Sequence, residues 1–353
     1  MKVSPSELEV FQTCPQRFIW GLDPEKKRHQ SNLSSSLGKI AHKVLASTHK
    51  GGFENVNARN QETLFNEIWN AVESDEFQRI QVEWPNAVVP QPIRWPKYFA
   101  VKTSTQYLVK RVLNSGEVWK KAEDPAKRIG PSHESYPWVE KYLESEKLKL
   151  KGIPDLVKDS SKGLEIVDYK TGNVADPDTF SMQMHIYLML VSELSNREVT
   201  RLLIRDFTLQ DKEIQIDKSM ISKINDSIAL AEGFLAKKVA PAKASLENCR
   251  FCNFKGICND FQISSLNVTT EPLFLQGEIL QIHSNADSSK VSLQLRIERS
   301  IPVKFEGSIW ISGLSIKPGF VIGDIVQVMD NLHFTDNLNV VGSWNTIVSK
   351  RDG

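Results

Sequence analysis

The chain has 353 residues, of which 40% are hydrophobic and 25% are charged, and its formal net charge is +1. These values are typical of a globular protein with room for one large domain and a smaller one, and they exclude a low-complexity or collagen-like chain. The balanced charge excludes a strongly basic nucleic-acid arm. A polyanion would have to meet local basic patches such as residues 26–28 and 147–151.

The first twenty residues carry polar or charged side chains throughout, without the apolar core of a secretory leader. No apolar run elsewhere approaches the length that crosses a bilayer. We therefore expect a cytoplasmic, reducing location, in which grouped cysteines favour metal binding over disulfides.

Four helices are predicted before any strand, the first of them short and opened by a serine–proline cap. The segment SSSLGKIAHKVLASTHK, residues 34–50, has apolar residues at helical spacing and carries His42. Helices over residues 60–73 and 97–113 follow. They are separated by a loop at residues 82–96 that contains four prolines.

The hydrophobic pattern changes to period two from residue 136 onward. Residues 136–159 predict a hairpin, and the apolar run in GLEIVDYKTG, residues 163–172, is typical of a strand buried on both faces. Residues 179–194 are apolar nearly all round, which indicates a buried helix. A strand at 199–210 and a surface helix at 217–237 complete an α/β fold with a mixed sheet flanked by helices.

Asp155 in GIPDLV and the triplet Asp168-Tyr169-Lys170 carry the strongest chemical signal. Because side chains alternate along a strand, Asp168 and Lys170 share one face while Tyr169 points away, and Asp155 can lie beside Asp168. Two carboxylates in an apolar sheet are costly unless a divalent cation neutralises them, so we expect Mg²⁺ or Mn²⁺. A lone Asp-x-Lys triplet is more often surface charge, but the flanking apolar run and the upstream aspartate favour a site.

All four cysteines fall into one bipartite pattern, with Cys14 near the start and Cys249, Cys252 and Cys258 in a C-x2-C-x5-C run. Four thiolates suit either zinc or an iron–sulfur cluster, and the spacing does not decide between them. The polar residues around the run disfavour four independent buried cysteines. Because a metal here would close a very long loop of chain, we expect it to staple the fold rather than to catalyse.

Five strand-like runs follow residue 266, separated by turn residues and without a helical period. Their number and size predict a small β-barrel of the OB-fold type. The predicted domains are therefore residues 1–263 and residues 267–353. The aromatic residues of the second domain are expected to form a base-stacking platform for DNA, a surface for a partner protein or simply the core of the barrel.

Residues 4–261 resemble the PD-(D/E)xK nuclease superfamily, specifically RecB-like nucleases with an iron–sulfur cluster, such as the CRISPR-associated nuclease of spacer acquisition and the exonuclease five group. The resemblance is carried by motifs in the order that the family has. They are SxxxxFxxCPxxF at 6–18, LGKIAHKVL at 37–45, GIPDLV at 152–157, IVDYKTG at 166–172, QMHIY at 183–187 and the cysteine run.

The resemblance implies a restriction-endonuclease-like fold for residues 1–263 and a role for each motif residue. A histidine, two aspartates and a strand carbonyl would bind Mg²⁺ or Mn²⁺, while a lysine activates water and the Q-x3-Y pair contacts DNA or supports the lysine. The implied metal ligands are His42, Asp155, Asp168 and Tyr169, and the implied catalytic residues are Asp155, Asp168, Lys170, Gln183 and Tyr187. Without the motifs, His42 would be a partly buried histidine, and Gln183 and Tyr187 would be polar groups within a core.

The resemblance also favours a [4Fe–4S] cluster over zinc on Cys14, Cys249, Cys252 and Cys258. It offers Glu140 as a match to a further family acid, with a solvated strand glutamate as the alternative.

The implied function is a Mg²⁺- or Mn²⁺-dependent DNA nuclease, an exonuclease on single-stranded DNA or free ends that acts in repair, recombination or defence. The alternative is a non-catalytic, cluster-stapled DNA- or protein-binding component of a helicase–nuclease complex. A degenerate nuclease would have lost at least one of His42, Asp155, Asp168 or Lys170, and all four are present. DNA is the expected partner, and a helicase or recombination protein is a candidate partner of the C-terminal barrel.

Overall fold

The fold is given by a computed structural model. The residues it describes are 1–23, 33–53, 60–83, 88–114, 136–172, 174–206, 211–250, 252–263, 274–285, 290–301, 304–316, 319–329, 332–336, 339–343 and 346–350. The basic patch at 26–28, part of the predicted loop at 84–87 and the end of the predicted strand at 207–210 lie outside these ranges.

Two compact units make up the chain, and their segments alternate along the sequence. The first unit consists of Met1–Gln12, Asn32–Glu76 and Pro92–Lys237, and the second of Thr13–Ser31, Phe77–Gln91 and Lys238–Gly353. In this division the segments that carry the cysteines belong to the same unit as the C-terminal strands. The predicted domain boundary between residues 263 and 267 stays a prediction.

The helices of the described residues are α1 (Pro5–Thr13), α2 (Pro15–Leu22), α3 (Leu33–His49), α4 (Gln61–Glu83), α5 (Tyr98–Asn114), α6 (Ser181–Ser195), α7 (Lys218–Lys237), α8 (Leu246–Arg250) and α9 (Asn259–Ile263). The strands are β1 (Trp138–Val139), β2 (Leu143–Ser145), β3 (Leu150–Gly152), β4 (Leu156–Ser160), β5 (Gly163–Lys170), β6 (Val199–Asp206), β7 (Asp211–Ile214), β8 (Phe274–Ser284), β9 (Val291–Ile301), β10 (Ser308–Leu314), β11 (Ile325–Met329), β12 (His333–Asp336), β13 (Asn339–Val341) and β14 (Ile347–Lys350). Short 3-10 turns occur at Pro92–Arg94, Pro177–Phe180 and Lys255–Ile257.

The predicted helices are present, and α4 is longer than predicted. It continues to Glu83 because residues 74–83 contain no glycine or proline to end it. In α3, the buried positions Leu37, Ile40, Val44 and Leu45 repeat at helical spacing and form one apolar stripe. None of the helices in the described part of the chain is long and apolar enough to span a bilayer.

The first unit contains a mixed five-stranded sheet in the order β1-β4-β5-β6-β7. Only β5 and β6 are parallel among these neighbours. The prediction of one hairpin over residues 136–159 was wrong. β2 and β3 form a separate two-stranded hairpin, whereas β1 and β4 belong to the main sheet. Pro154, which has no N–H to donate to a strand ladder, lies between β3 and β4. The prediction for β5 is confirmed, since every residue from Leu164 to Tyr169 is buried.

The second unit contains a seven-stranded sheet in the order β12-β13-β10-β9-β8-β11-β14. The five predicted runs correspond to seven strands, because each of the last two runs contains two strands, β11 and β12 in one and β13 and β14 in the other. Among the described residues, β12 and β14 are not paired with each other, so no closed barrel is found, and the OB-like barrel stays a prediction. Leucine, isoleucine and valine side chains from β8 to β14 form its core.

Candidate active site and cysteine cavity

Three elements of the first unit bring His42, Asp155, Asp168 and Lys170 together. His42 comes from α3, Asp155 directly precedes β4, and Asp168 and Lys170 lie near the end of β5. Because β4 and β5 pair antiparallel with Leu156 opposite Val167, the next position along the ladder sets Asp155 against Asp168. The register of two neighbouring strands therefore explains why residues thirteen positions apart meet.

Asp155 is held at both carboxylate oxygens. Its Oδ1 lies 2.7 Å from His42 Nδ1, and its Oδ2 accepts the backbone N–H of Tyr169 at 2.7 Å. The Tyr169 side chain points elsewhere, with its hydroxyl 2.8 Å from His49 Nε2. The predicted alternation along β5 is therefore confirmed, and Tyr169 can reach a bound ion only through its backbone.

Lys170 is fixed by three neighbours. Its Nζ lies 2.7 Å from Asp168 Oδ2, donates to Gln183 Oε1 at 2.9 Å and lies 4.4 Å from the centre of the Phe180 ring. Gln183 Nε2 in turn donates to Asp168 Oδ1 at 3.0 Å and to the Tyr187 hydroxyl at 3.1 Å. The two residues of the Q-x3-Y pair therefore hold the lysine and the aspartate rather than serving as isolated core polar groups.

Charge is concentrated in this cluster. Burial, reinforced by the charge of Asp155, raises the pKa of Asp168 above its ordinary value, while Lys170 and His42 act against that rise. Burial on its own would lower the pKa of His42, but the charge and hydrogen bond of Asp155 outweigh it and raise that pKa to about 9. Without a bound ion, a proton on His42 therefore balances part of the charge of the two acids.

The donor set fits a hard divalent cation. Asp168 Oδ2 is buried and accepts no hydrogen bond of good geometry, although Lys170 Nζ is near it, and carboxylate oxygens and imidazole are ligands that Mg²⁺ and Mn²⁺ accept. Within the described ranges, no three His, Cys, Asp or Glu side chains are already arranged around one point as a ligand set. Binding of an ion would therefore require small movements and loss of the His42 proton.

Glu140 lies beside Asp155. The sequence left open whether this residue is a further acid of the site or a solvated strand glutamate. Its backbone N–H donates to the Asp155 carbonyl at 3.0 Å, and its φ of 44° is unusual for a residue with a side chain. Burial, followed by the charge of Asp155, raises the pKa of Glu140. The family resemblance pointed to Glu140, but no local sequence pattern predicts its backbone conformation.

The four cysteines line one cavity in the second unit, and none of them is in a disulfide. Cys14 Sγ accepts the backbone N–H of Lys243 at 3.5 Å, and Cys252 N–H donates to the Cys249 carbonyl at 3.1 Å. Burial raises the pKa of Cys252 to about 11 and also raises those of Cys249 and Cys258.

Lys255 is the notable charged residue of this cavity, because its side chain is fully buried. The positive charges of Lys255 and Arg17 act against the rise in the pKa of Cys249. The cysteines also share a core with Phe274 and Met329 of the C-terminal sheet. The cavity thus joins soft ligands, a buried cation and an apolar surround.

Comparison with known proteins agrees with this site. Residues 2–259 match the PD-(D/E)XK nuclease superfamily, and the chain belongs to that superfamily. The chain is also similar to an ATP-dependent helicase/nuclease protein of Desulforudis audaxviator (strain MP104C), with 33% identity over 91 residues. That match covers 24% of this chain and 7% of the relative, so the chain spans a small part of the relative's length.

Proposed function

We propose that the chain is a Mg²⁺- or Mn²⁺-dependent deoxyribonuclease that acts as an exonuclease on single-stranded DNA or free ends. One observation carries this proposal: residues from separate motifs meet in two adjoining sets of contacts. His42 contacts Asp155 at 2.7 Å, and Asp168, Lys170 and Gln183 contact one another at 2.7 to 3.0 Å. The backbone N–H of Tyr169, which follows Asp168, donates to Asp155 and links the two sets. Superfamily membership supports nuclease chemistry in general. The preference for DNA, for ends and for single strands is our inference.

In this proposal His42, Asp155, Asp168 and the Tyr169 carbonyl hold the divalent ion. The bound ion would lower the pKa of a water molecule and offset the charge that grows on the phosphate. Asp155 is suited to its part because His42 and the Tyr169 N–H hold both its oxygens in fixed directions.

Lys170 orients the attacking water and stabilises negative charge on the phosphate. Gln183 accepts from Lys170 and donates to Asp168, so it keeps the ammonium group and the carboxylate at a constant separation. Tyr187 then orients the Gln183 amide through its hydroxyl. These contacts support a division of roles in which Lys170 acts on substrate and the Q-x3-Y pair positions it.

The test compares two lysines of one sheet. Lys170 and Lys158 have side-chain exposures of 19% and 18%, and each is ion paired with a carboxylate of β5, Asp168 and Glu165 respectively. Removal of a group that stabilises the transition state costs about 10²- to 10³-fold in rate. Lys170→Ala should lose that much cleavage, and Lys158→Ala should keep near-normal activity.

The assay uses protein purified without oxygen and end-labelled single-stranded, duplex, flapped and circular DNA with Mg²⁺ or Mn²⁺. Cleavage of the linear forms and not of the circles would support the exonuclease. Cleavage of no DNA form, together with capture of a stoichiometric partner from cells, would support the non-catalytic alternative instead. Equal activity of wild type and Lys170→Ala would reject the assigned site.

We further propose that Cys14, Cys249, Cys252 and Cys258 bind a [4Fe–4S] cluster. The shared cavity and the soft thiols support a metal, and the family resemblance favours iron over zinc. The four thiols would supply the ligands that such a cluster needs. Iron and sulfide content with broad visible absorbance would support the cluster, and one zinc per chain without iron would reject it.

The remaining parts of the proposal concern architecture and surroundings. We propose a restriction-endonuclease-like first domain and an OB-like second domain, with a boundary near residues 263–267. We also propose a cytoplasmic location. The name of the similar protein links nuclease to helicase, and this chain contains no G-x4-G-K-[S/T] segment. We therefore propose a helicase or recombination partner that contacts the C-terminal strands.

A further inference from the structure

A cavity of about 700 Å³ in the first unit opens beside Lys170. Lys170, Gln183 and Tyr187 form one part of its lining. Residues from α1, β3, the 3-10 turn before α6, the starts of α6 and α7, and the segments beside β2 and β3 form the rest. The cavity therefore adjoins the group that the proposed reaction uses to act on phosphate, on the side where the lysine meets the Phe180 ring.

The lining suits a flat, uncharged ligand better than an anion. Apolar and aromatic groups dominate part of it, including Tyr142, Ile153, Phe180 and Met182. Tyr142 and Ile153 are 55% and 49% exposed, so their surfaces are accessible from solvent. Large exposed apolar groups beside a reaction centre are typical of a ligand site rather than of a core.

Both lysines of the lining are already paired with carboxylates. Lys151 Nζ is ion paired with Glu7 Oε1 at 3.1 Å, and Lys170 Nζ with Asp168 Oδ2 at 2.7 Å. Glu9 and Asp178 add carboxylates to the lining. A phosphate would therefore gain little from binding in this cavity. An uncharged nucleobase could lie in it without an electrostatic cost, while the phosphate of the same nucleotide lies at Asp155 and Asp168.

We propose that this cavity binds an unpaired nucleobase of the strand that is cut, so that Phe180 and Tyr142 act as specificity-determining residues for single-stranded ends. This inference rests on the proposed function. The volume falls within the 300–1,000 Å³ typical of small-ligand sites, on the order of one or two nucleotides. A duplex, whose major groove alone is about 12 Å wide, does not fit into a space of this volume.

Phe180 would link base recognition to chemistry. Its ring is half-buried and already contacts the Lys170 ammonium group at 4.4 Å. A base stacked in the cavity would cover the lysine and exclude water from it, which strengthens its interaction with phosphate. A paired base could not do this, so the cavity would favour strands that are already open.

Two tyrosines give a matched pair for the test. Tyr142 lines the cavity and Tyr107 on α5 does not, although both belong to the first unit and are 55% and 57% exposed. Because both side chains are exposed, neither Tyr→Ala change is expected to unfold the protein. Phe180→Leu, which keeps an apolar side chain, is the second variant.

Binding is measured with the full chain and Ca²⁺ on short fluorescent single strands that carry one abasic site at successive positions from the end. Loss of one stacked base costs about 5- to 150-fold in affinity. We expect this loss at one position for wild type and Tyr107→Ala. Tyr142→Ala and Phe180→Leu should bind the intact strand more weakly and lose most of the discrimination at that position.

The outcomes separate this inference from the proposed function. A flat abasic scan, or variants whose losses simply add to the abasic loss, would overturn the base site even if Mn²⁺-dependent cleavage is present. Position-specific loss that disappears in Tyr142→Ala, in a protein that cuts no DNA, would support the base site and reject the nuclease. No measurable binding of single strands would reject the base site and the single-strand preference, and cleavage of duplex ends would then still support the nuclease.

Discussion

The Asp168→Asn variant should be inactive and yet more thermally stable than the wild type when no divalent ion is present. Burial, with the charge of Asp155, raises the pKa of Asp168 from 3.8 to about 6. One pKa unit corresponds to about 1.4 kcal/mol, so the ionised carboxylate costs the fold about 3 kcal/mol. Asparagine keeps the oxygen that Gln183 contacts and removes the charge.

The pH dependence follows from the sign of the shift. Below about pH 4 the carboxyl is protonated in both the folded and the unfolded chain, and the wild type carries no cost. The cost grows as the pH rises through the interval between the two pKa values and is complete above about pH 6. The gain from Asp168→Asn should therefore be largest at pH 8 and roughly half as large at pH 5.

The expected gain is at most about 3 kcal/mol, because Lys170 loses its ion partner in the variant. A unit of roughly 200 residues shifts its melting temperature by about 2–4 °C per kcal/mol, so the rise should be several degrees. The assay is thermal unfolding in EDTA at pH 8 and pH 5, followed by circular dichroism. Added Mn²⁺ should raise the melting temperature of the wild type and leave that of the variant unchanged.

Asp159→Asn is the matched control on the neighbouring strand. Asp159 is exposed, and its hydrogen bond to Arg197 lowers its pKa, so its amide variant should gain no stability. If Asp168→Asn is no more stable than wild type at pH 8, or if its gain is equal at pH 5, the argument from buried charge is wrong.

Three further predictions concern the ion, the glutamine–tyrosine contact and the cysteine cavity. Binding of Mn²⁺ near pH 7.5 should release protons, because His42, with a pKa of about 9, must be neutral to bind. Calorimetric heats of Mn²⁺ binding in PIPES and in Tris, which differ in ionisation enthalpy, should therefore differ, and equal heats would contradict this. Gly152→Ala should slow cleavage about 2- to 12-fold, because the new Cβ would lie 2.9 Å from Tyr187 Cε1 and disturb the contact between Tyr187 and Gln183. Gly38→Ala is the control and should cleave normally, because the nearest atom to its new Cβ is 3.8 Å away. Lys255→Met should lower the reduction potential of the proposed cluster by on the order of tens of millivolts, because a buried positive charge is lost. The potential is measured by redox titration followed by electron paramagnetic resonance, and an unchanged value would count against a role for this lysine.

The sequence predicted the elements that carry strong local patterns. The unbroken apolar run of β5 and the apolar helix α6 are both confirmed, and the alternation along β5 correctly separated Asp168 and Lys170 from the Tyr169 side chain. The meeting of Asp155 with Asp168 was also predictable, because antiparallel neighbours close in sequence have few possible registers.

Long-range features were harder to predict. No local sequence pattern distinguishes the parallel pairing of β10 with β13 from the pairing of a hairpin. Each of the last two C-terminal runs contains two strands, and both strands pair with partners outside that run. The left-handed backbone of Glu140 and the contact between Phe180 and Lys170 arise from tertiary packing. Neither residue carries a propensity or spacing that would reveal its role.

The alternation of the two units along the chain has a practical consequence for dissecting the protein. The backbone passes from one unit to the other five times between Met1 and Gly353. A fragment that stops at residue 263 would leave Cys249, Cys252 and Cys258 without Phe274 and Met329, their apolar neighbours. Truncation at a single point therefore yields no intact half, and each half would have to be isolated by joining its separate segments.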